Sequence, residues 1–188
     1  MTMPTFTDGT VVHQGDLNTL SAGINNLSTY SLGAVPPRAY VPTVRLRRTT
    51  GQTIPTNANT AVSWDTVDIN NDNMFSLSSP TVVTVQTAGS YAVAIEYGFA
   101  SNNTGGRVLW GTKNGTTTNV NSGCIDEQNA TTVSTGRGNT LHVSSIFPNC
   151  VVGDTFFGVV FQSSGGNLTN VVSPFWPYSS FNMWRIGP

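Results

Sequence analysis

Charge is what this chain has least of. Lys, Arg, Asp and Glu make up 9% of its 188 residues, against about a quarter in an ordinary soluble domain. With 8 basic and 9 acidic residues the formal net charge is -1, which leaves no basic footprint for nucleic acid or an anionic membrane surface. Cysteine is nearly absent: Cys124 and Cys150 are too few for a disulfide framework, and the spacing leaves open whether they pair or stay as buried thiols. Histidine is equally scarce. His13 and His142 come with no Gly-x-Ser-x-Gly elbow, no His-Glu-x-x-His and no phosphate loop, so no catalytic residue, cofactor or metal is expected. No stretch approaches the roughly 20 apolar residues that span a bilayer. The start carries neither the basic run nor the apolar core of a signal peptide, and the expectation is a chain made soluble in the cytosol.

Thr, Asn, Ser, Gly and Val take the place of charge. Branched Thr and Val suit a pleated strand, while Asn, Gly and Ser supply turns. The first forty residues differ from the rest. Leu17, Leu20, Ile24 and Leu27 fall at spacings of three, four and three, one narrow apolar seam on a helix with Asp16 as its N-cap. Gly33 and Pro36-Pro37 end it. Such a short helix, with Gly23 inside it, is marginal alone in water, so it needs either the same helix from sister subunits or the chain's own β-domain.

From Tyr40 onward the pattern is all-β. Candidate strands are Val44–Arg48, Ala61–Trp64, Val82–Gln86, Gly89–Ala100, Arg107–Lys113, Thr131–Ser134, Asn139–Phe147, Thr155–Gln162, Val171–Val172 and Ser180–Ile186, separated by Asn-Gly, Gly-Gly and Pro clusters. Eight to ten short strands without intervening helices predict a sandwich. Along Tyr91–Phe99 the odd-numbered residues Tyr91, Val93, Ile95, Tyr97 and Phe99 are bulky, whereas Ala92, Ala94, Glu96 and Gly98 are mostly small. The small face admits close approach by a facing sheet or a neighbouring subunit.

Three stretches, in order, resemble the globular domain shared by complement-type collagenous proteins and the tumour-necrosis-factor superfamily. They are Thr81-Val82-Val83-Thr84-Val85-Gln86-Thr87-Ala88-Gly89-Ser90-Tyr91, then Val151-Val152-Gly153-Asp154-Thr155-Phe156-Phe157-Gly158-Val159-Val160-Phe161, then Ser179-Ser180-Phe181-Asn182-Met183-Trp184-Arg185-Ile186-Gly187. The resemblance implies a ten-stranded jelly-roll sandwich over residues 40–188 that assembles as a tight homotrimer. The short N-terminal α-helix within residues 1–39 would help trimerise it. On this reading Leu17, Leu20, Ile24 and Leu27 form the helix seam of the trimer, and Tyr91, Tyr97, Phe157, Phe181 and Trp184 serve its interface or the core. No collagen-like repeat precedes the domain, and residues 65–75 keep the family's polar loop only loosely.

The opening, Phe6-Thr7-Asp8-Gly9 through Gly15-Asp16-Leu17-Asn18-Thr19-Leu20, resembles the N-terminal attachment segment of bacteriophage tail and capsid-surface proteins. It implies a structural protein on the virion surface, assembled in the bacterial cytoplasm and docked on a major capsid or tail protein; capsid and tail read alike. Phe6, with Arg45 and Arg47, is a possible docking group, although a solvated arginine face or an inter-subunit ion pair fits the arginines as well. The alternative function is a receptor-binding fibre tip that holds host glycan, with Trp176 and Tyr178 as the surface groups. A calcium site at Asp68-Ile69-Asn70-Asn71-Asp72 competes with a plain solvated loop, since the run lacks the Gly and terminal Glu of an EF-hand. The one carboxylate pair open to an enzyme, Asp126-Glu127 or Asp154 with a distant partner, makes a glycan depolymerase the remote third reading.

Overall fold

The structure, a computed structural model, describes residues 41–117, 122–129, 139–172 and 179–188. The helix expected over Leu17–Leu27, the strand expected at Thr131–Ser134, and Phe6, Trp176 and Tyr178 lie outside the described residues. Twelve strands occur among those described: β1 (Thr43–Arg47), β2 (Thr53–Ile54), β3 (Thr60–Ala61), β4 (Thr66–Asn70), β5 (Val83–Thr84), β6 (Gly89–Gly98), β7 (Gly106–Lys113), β8 (Ser122–Asn129), β9 (Thr140–Cys150), β10 (Thr155–Gln162), β11 (Leu168–Thr169) and β12 (Ser179–Gly187). The expected strand at Val171–Val172 is displaced to β11, which pairs with β2, and the one at Ala61–Trp64 shortens to β3.

Two antiparallel sheets face each other. The first has the order β4-β1-β12-β6-β9, and the second β3-β10-β7-β8. β5 continues the same edge of β10 that β3 occupies, pairing at Thr155 and Phe156 while β3 pairs at Val159 and Val160. Neighbours in the sheets are distant in sequence, as in β1 beside β12. This is the all-β sandwich that the strand pattern predicted, in the jelly-roll form that the resemblance implied.

Alternation decides what lies between the sheets. Tyr91, Val93, Ile95 and Tyr97 of β6 are buried at 2% exposure or less and belong to one core cluster with Leu46, Trp64, Phe156, Phe181 and Met183. Trp64 and Phe181 meet with ring centroids 6.0 Å apart, and Phe147 meets Phe156 edge-on at 4.9 Å, geometries that aromatic quadrupoles favour. Across from β6, Gly111 of β7 and Gly158 of β10 stand in direct register. A Cβ at Gly111 would lie 3.2 Å from Ile95 Cδ1, and one at Gly158 would lie 3.5 Å from Ile95 Cγ2. Ile95 therefore fills the hollow that two missing side chains leave in the second sheet.

Polar side chains close the ends. The Asp65 carboxylate accepts from Thr49 N and Oγ1 at 2.8 and 2.9 Å and from Thr50 N and Oγ1 at 2.8 and 2.6 Å. Buried Gln162 donates to the carbonyls of Ile54 and Gly166 and accepts from Ser164 N. Asp154 holds the β9–β10 turn, accepting from Val151 N, Asn114 Nδ2 and Lys113 Nζ at 2.9, 2.7 and 2.8 Å. Each satisfies backbone or side-chain groups that a turn leaves without a ladder partner.

Gly105, at φ 72°, begins the turn into β7 with its missing Cβ aimed directly at the Ser163 carbonyl oxygen, whereas Gly165, at φ 86°, faces open space. Gly165→Ala meets only the left-handed backbone cost of about 1–2 kcal/mol. Gly105→Ala adds a backbone collision, and its total loss should be about 3 kcal/mol or more. Urea unfolding midpoints of the two variants, at unchanged slope, measure the difference.

Candidate functional site

The small face of β6 points away from the core, so its expected use against a facing sheet is ruled out by the burial of the bulky face. It forms part of the outward surface of the first sheet, between β12 and β9. Register defines three cross-strand rows on that surface. Thr43, Trp184, Ala92 and Ile146 form the first; Arg45, Asn182, Ala94 and Ser144 the second; Arg47, Ser180, Glu96 and His142 the third. The surface grades from apolar to polar along the strands.

Its apolar end is wide. Trp184 is 40% exposed and Ile146 62%, with Ala92 between them, and Ile186 follows Trp184 at 48%. The two alanines keep the centre of the face low, so a partner can come close to the backbone while Trp184 and Ile146 stand on either side. Apolar side chains grouped in this way mark an association surface more than scattered ones do.

The sequence left five aromatic residues between interface and core, and the structure separates them. Tyr91, Tyr97 and Phe181 are fully buried in the core cluster. Trp184 stands on the outward face of the first sheet. Phe157, half-buried, pairs with Thr112 on the second sheet and takes no part in the first-sheet face. Ile146 was not singled out from the sequence, because a lone Ile between Ser145 and Phe147 gives no sign of which way it points; the Ala92↔Ile146 register supplies that sign.

At the β1–β4 edge of the same sheet, Arg45 and Arg47 share one carboxylate. The ladder shifts register between Arg45 and Leu46, making Asp68 the extra residue of a bulge. Arg47 Nε donates to the two Asp68 oxygens at 3.0 and 2.7 Å, Arg47 Nη2 donates to Oδ1 at 2.6 Å, and Arg45 Nε stands 3.5 Å from Oδ2. The arginines are thus held by their own chain. The Arg47 hydrogen bonds draw the Asp68 carboxyl below its ordinary range, and Arg47 is raised in turn by the same bonds.

Other candidate chemistry does not converge. Asp68 is occupied by arginine, and Asp72 Oδ1 is directed to Thr87 Oγ1 at 3.4 Å, so the two carboxylates are turned to different partners. Among the described residues no three His, Cys, Asp or Glu gather. Asp126 accepts from the backbone N of His142 at 3.0 Å, joining β8 to β9. Cys124 and Cys150 are both free thiols; Cys150 Sγ bonds to the Phe147 carbonyl, and burial pushes both thiols up.

No family model and no curated protein matches this chain. Solved structures do match it in shape. Two crystal structures of murine APRIL, at pH 8.5 and pH 8.0, superpose with TM-scores of 0.54 and 0.53; each is 12% identical and covers 78% of this chain and 100% of its own. At that identity the likeness is one of fold, a tumour-necrosis-factor-like jelly roll.

The acids beside the outward face give the sandwich a pH dependence. Burial alone would raise the Asp65 carboxyl, but the bonds from Thr50 and Thr49 outweigh it and hold the group far below its usual range. A carboxyl depressed in the folded state adds stability that is complete above its unfolded value of about 4 and is lost as pH falls through the folded value. Stability should therefore hold from neutral pH to about 4 and decline below it. Asp65→Asn should lose about 1 kcal/mol at neutral pH and show a shallower acid decline, read from urea midpoints at a series of pH values.

Proposed function

We propose that this chain is a non-enzymatic structural module of a phage virion, a homotrimer whose β-domains meet through the outward face of the first sheet. Residues 1–39 would attach it to a capsid or tail protein. The observation that carries the assembly is the row Trp184, Ala92, Ile146, with Ile186 beside it, exposed on a sheet whose opposite face buries Leu46, Tyr91, Val93, Ile95, Phe181 and Met183 in the core.

Physical reasons favour a copy of the same chain as the occupant. The face is nearly uncharged at its apolar end, and at its other end Arg45 and Arg47 share the Asp68 carboxylate, so the apolar row itself calls for no charged partner. Closed rotational symmetry lets one patch serve every subunit. Burying the apolar end contributes about 25 cal/mol for each Å² removed from water. A helix seam at Leu17, Leu20, Ile24 and Leu27 would add a second region of contact, and three joined domains would multiply weak contacts made by each. The virion context draws its support from the opening segment and its Phe6-Thr7-Asp8-Gly9 turn.

Multi-angle light scattering of the full chain should give three times the monomer mass. Trp184→Glu combined with Ile146→Glu places three carboxylate pairs in the contact and should shift the mass toward one chain, with the β circular-dichroism spectrum retained. A monomeric parent, or a double variant with unchanged mass, removes this face from the assembly. Peptide mass spectrometry of particles purified from the native source tests the virion half separately: absence from them would exclude it.

A further inference from the structure

A pocket of about 300 Å³ lies between β4 and β6, lined by Asn73, Met74, Phe75, Ser76, Ser79, Val82, Thr84 and Gln86. It shares no residue with the outward face of the first sheet. We propose that it is a binding site for a single neutral saccharide ring.

The lining selects the ligand class. None of these side chains is charged, so a phosphate, carboxylate or ammonium would find no counter-charge and would lose hydration on entry. Met74 and Phe75 are buried in the core and underlie the pocket, while half-buried Val82 presents the apolar surface against which the C–H edge of a pyranose can rest. Asn73 and Gln86 carry amides, and Ser79 and Thr84 carry hydroxyls, that make no hydrogen bond among the described residues. Each offers a donor and an acceptor, the combination that adjacent sugar hydroxyls require.

The walls are also set in advance. The Asn70 side chain clasps Phe75, donating to its carbonyl at 2.8 Å and accepting from its N–H at 3.3 Å. Thr84 N donates to the Met74 carbonyl at 2.7 Å, Ser79 N to Ser76 O at 3.0 Å, and Val82 N to Ser79 O at 3.2 Å. Asn73 sits in the left-handed region at φ 51°. Binding thus costs little ordering of the backbone. The volume lies at the small end of ligand pockets, about 300–1,000 Å³, which fits one ring and not a chain.

Backbone amide shifts of the isotope-labelled full chain, titrated separately with D-glucose, D-galactose, N-acetyl-D-glucosamine and L-rhamnose, test the site. At least one sugar should saturate with a Kd on the order of 1 mM, its shifts confined to residues 73–86. Gln86→Ala should weaken it about three- to tenfold, the loss of one hydrogen bond. Asn73→Gly should do the same, since glycine keeps the left-handed backbone. Glycerol and glucuronate should not saturate. The Trp184→Glu and Ile146→Glu double variant should bind as the parent does, which separates this site from the assembly face. No saturable shift with any of the four sugars, equal binding of glycerol or glucuronate, or indifference to both pocket substitutions would overturn the proposal.

Discussion

The closeness of the two sheets at Ile95 governs the rest of this molecule. β6 is an interior strand of its sheet, with β12 on one side and the edge strand β9 on the other, so whatever sets its distance from the second sheet constrains both neighbours. Gly111 and Gly158, opposed in register, remove two side chains from the second sheet where Ile95 arrives. Trp64 then packs beside Gly158, with its Cζ2 3.4 Å from where a Cβ would stand, and reaches Phe181 of β12. A larger residue at either glycine would hold the sheets apart and leave voids around these aromatics, a loss that close-packed interiors tolerate poorly.

That same strand fixes the outward surface. A period of two admits no compromise: once Tyr91, Val93, Ile95 and Tyr97 are inside, Ala92, Ala94 and Glu96 must be outside. The register then brings Trp184 and Ile146 beside Ala92. Core and outward face are two sides of one alternation, so a slip of one residue in β6 would destroy both. The pocket near Asn73 has a different origin. It arises from the excursion between β4 and β5, shaped by backbone turns and one clasping amide, and does not depend on the pleat of β6.

Legibility in the sequence follows from the same distinction. β6 was readable from its alternation of bulky and small side chains, β7 and β10 from apolar runs bounded by turn residues, and β12 with the Gly153-Asp154 turn from the stretches that resemble the tumour-necrosis-factor superfamily. β8 was not: Ser122-Gly123-Cys124-Ile125-Asp126-Glu127-Gln128-Asn129 is rich in residues depleted from strands, and its conformation comes from pairing with β7 along its length. β4 was hidden for a related reason. Its Thr66-Val67-Asp68-Ile69-Asn70 run looks like a polar loop, and only the bulge that aims Asp68 at Arg45 and Arg47 explains a carboxylate in mid-strand. On the outward face Trp184 was singled out but Ile146 was not, because two residues brought together by long-range register leave no local mark. The pocket was wholly illegible, since amides and hydroxyls are everywhere in this chain and only folding selects which converge.

Scarcity of charge ties these features together. Asp65, Asp68 and Asp154 hold turns or arginines within the chain, and Arg107 is buried, donating to the carbonyls of Asn102, Thr104 and Gly106 while facing the Phe99 ring at 5.8 Å. The few ionic groups of the described residues are largely occupied with holding the fold in shape. Recognition by such a surface has to come from shape, apolar contact and neutral hydrogen bonds, whose range is short and whose strength depends on fit. Long-range steering is weak in that regime, so encounters are not accelerated by charge. Lifetime must then come from joining several contacts at once, which is what a symmetric assembly with one small site per subunit would provide.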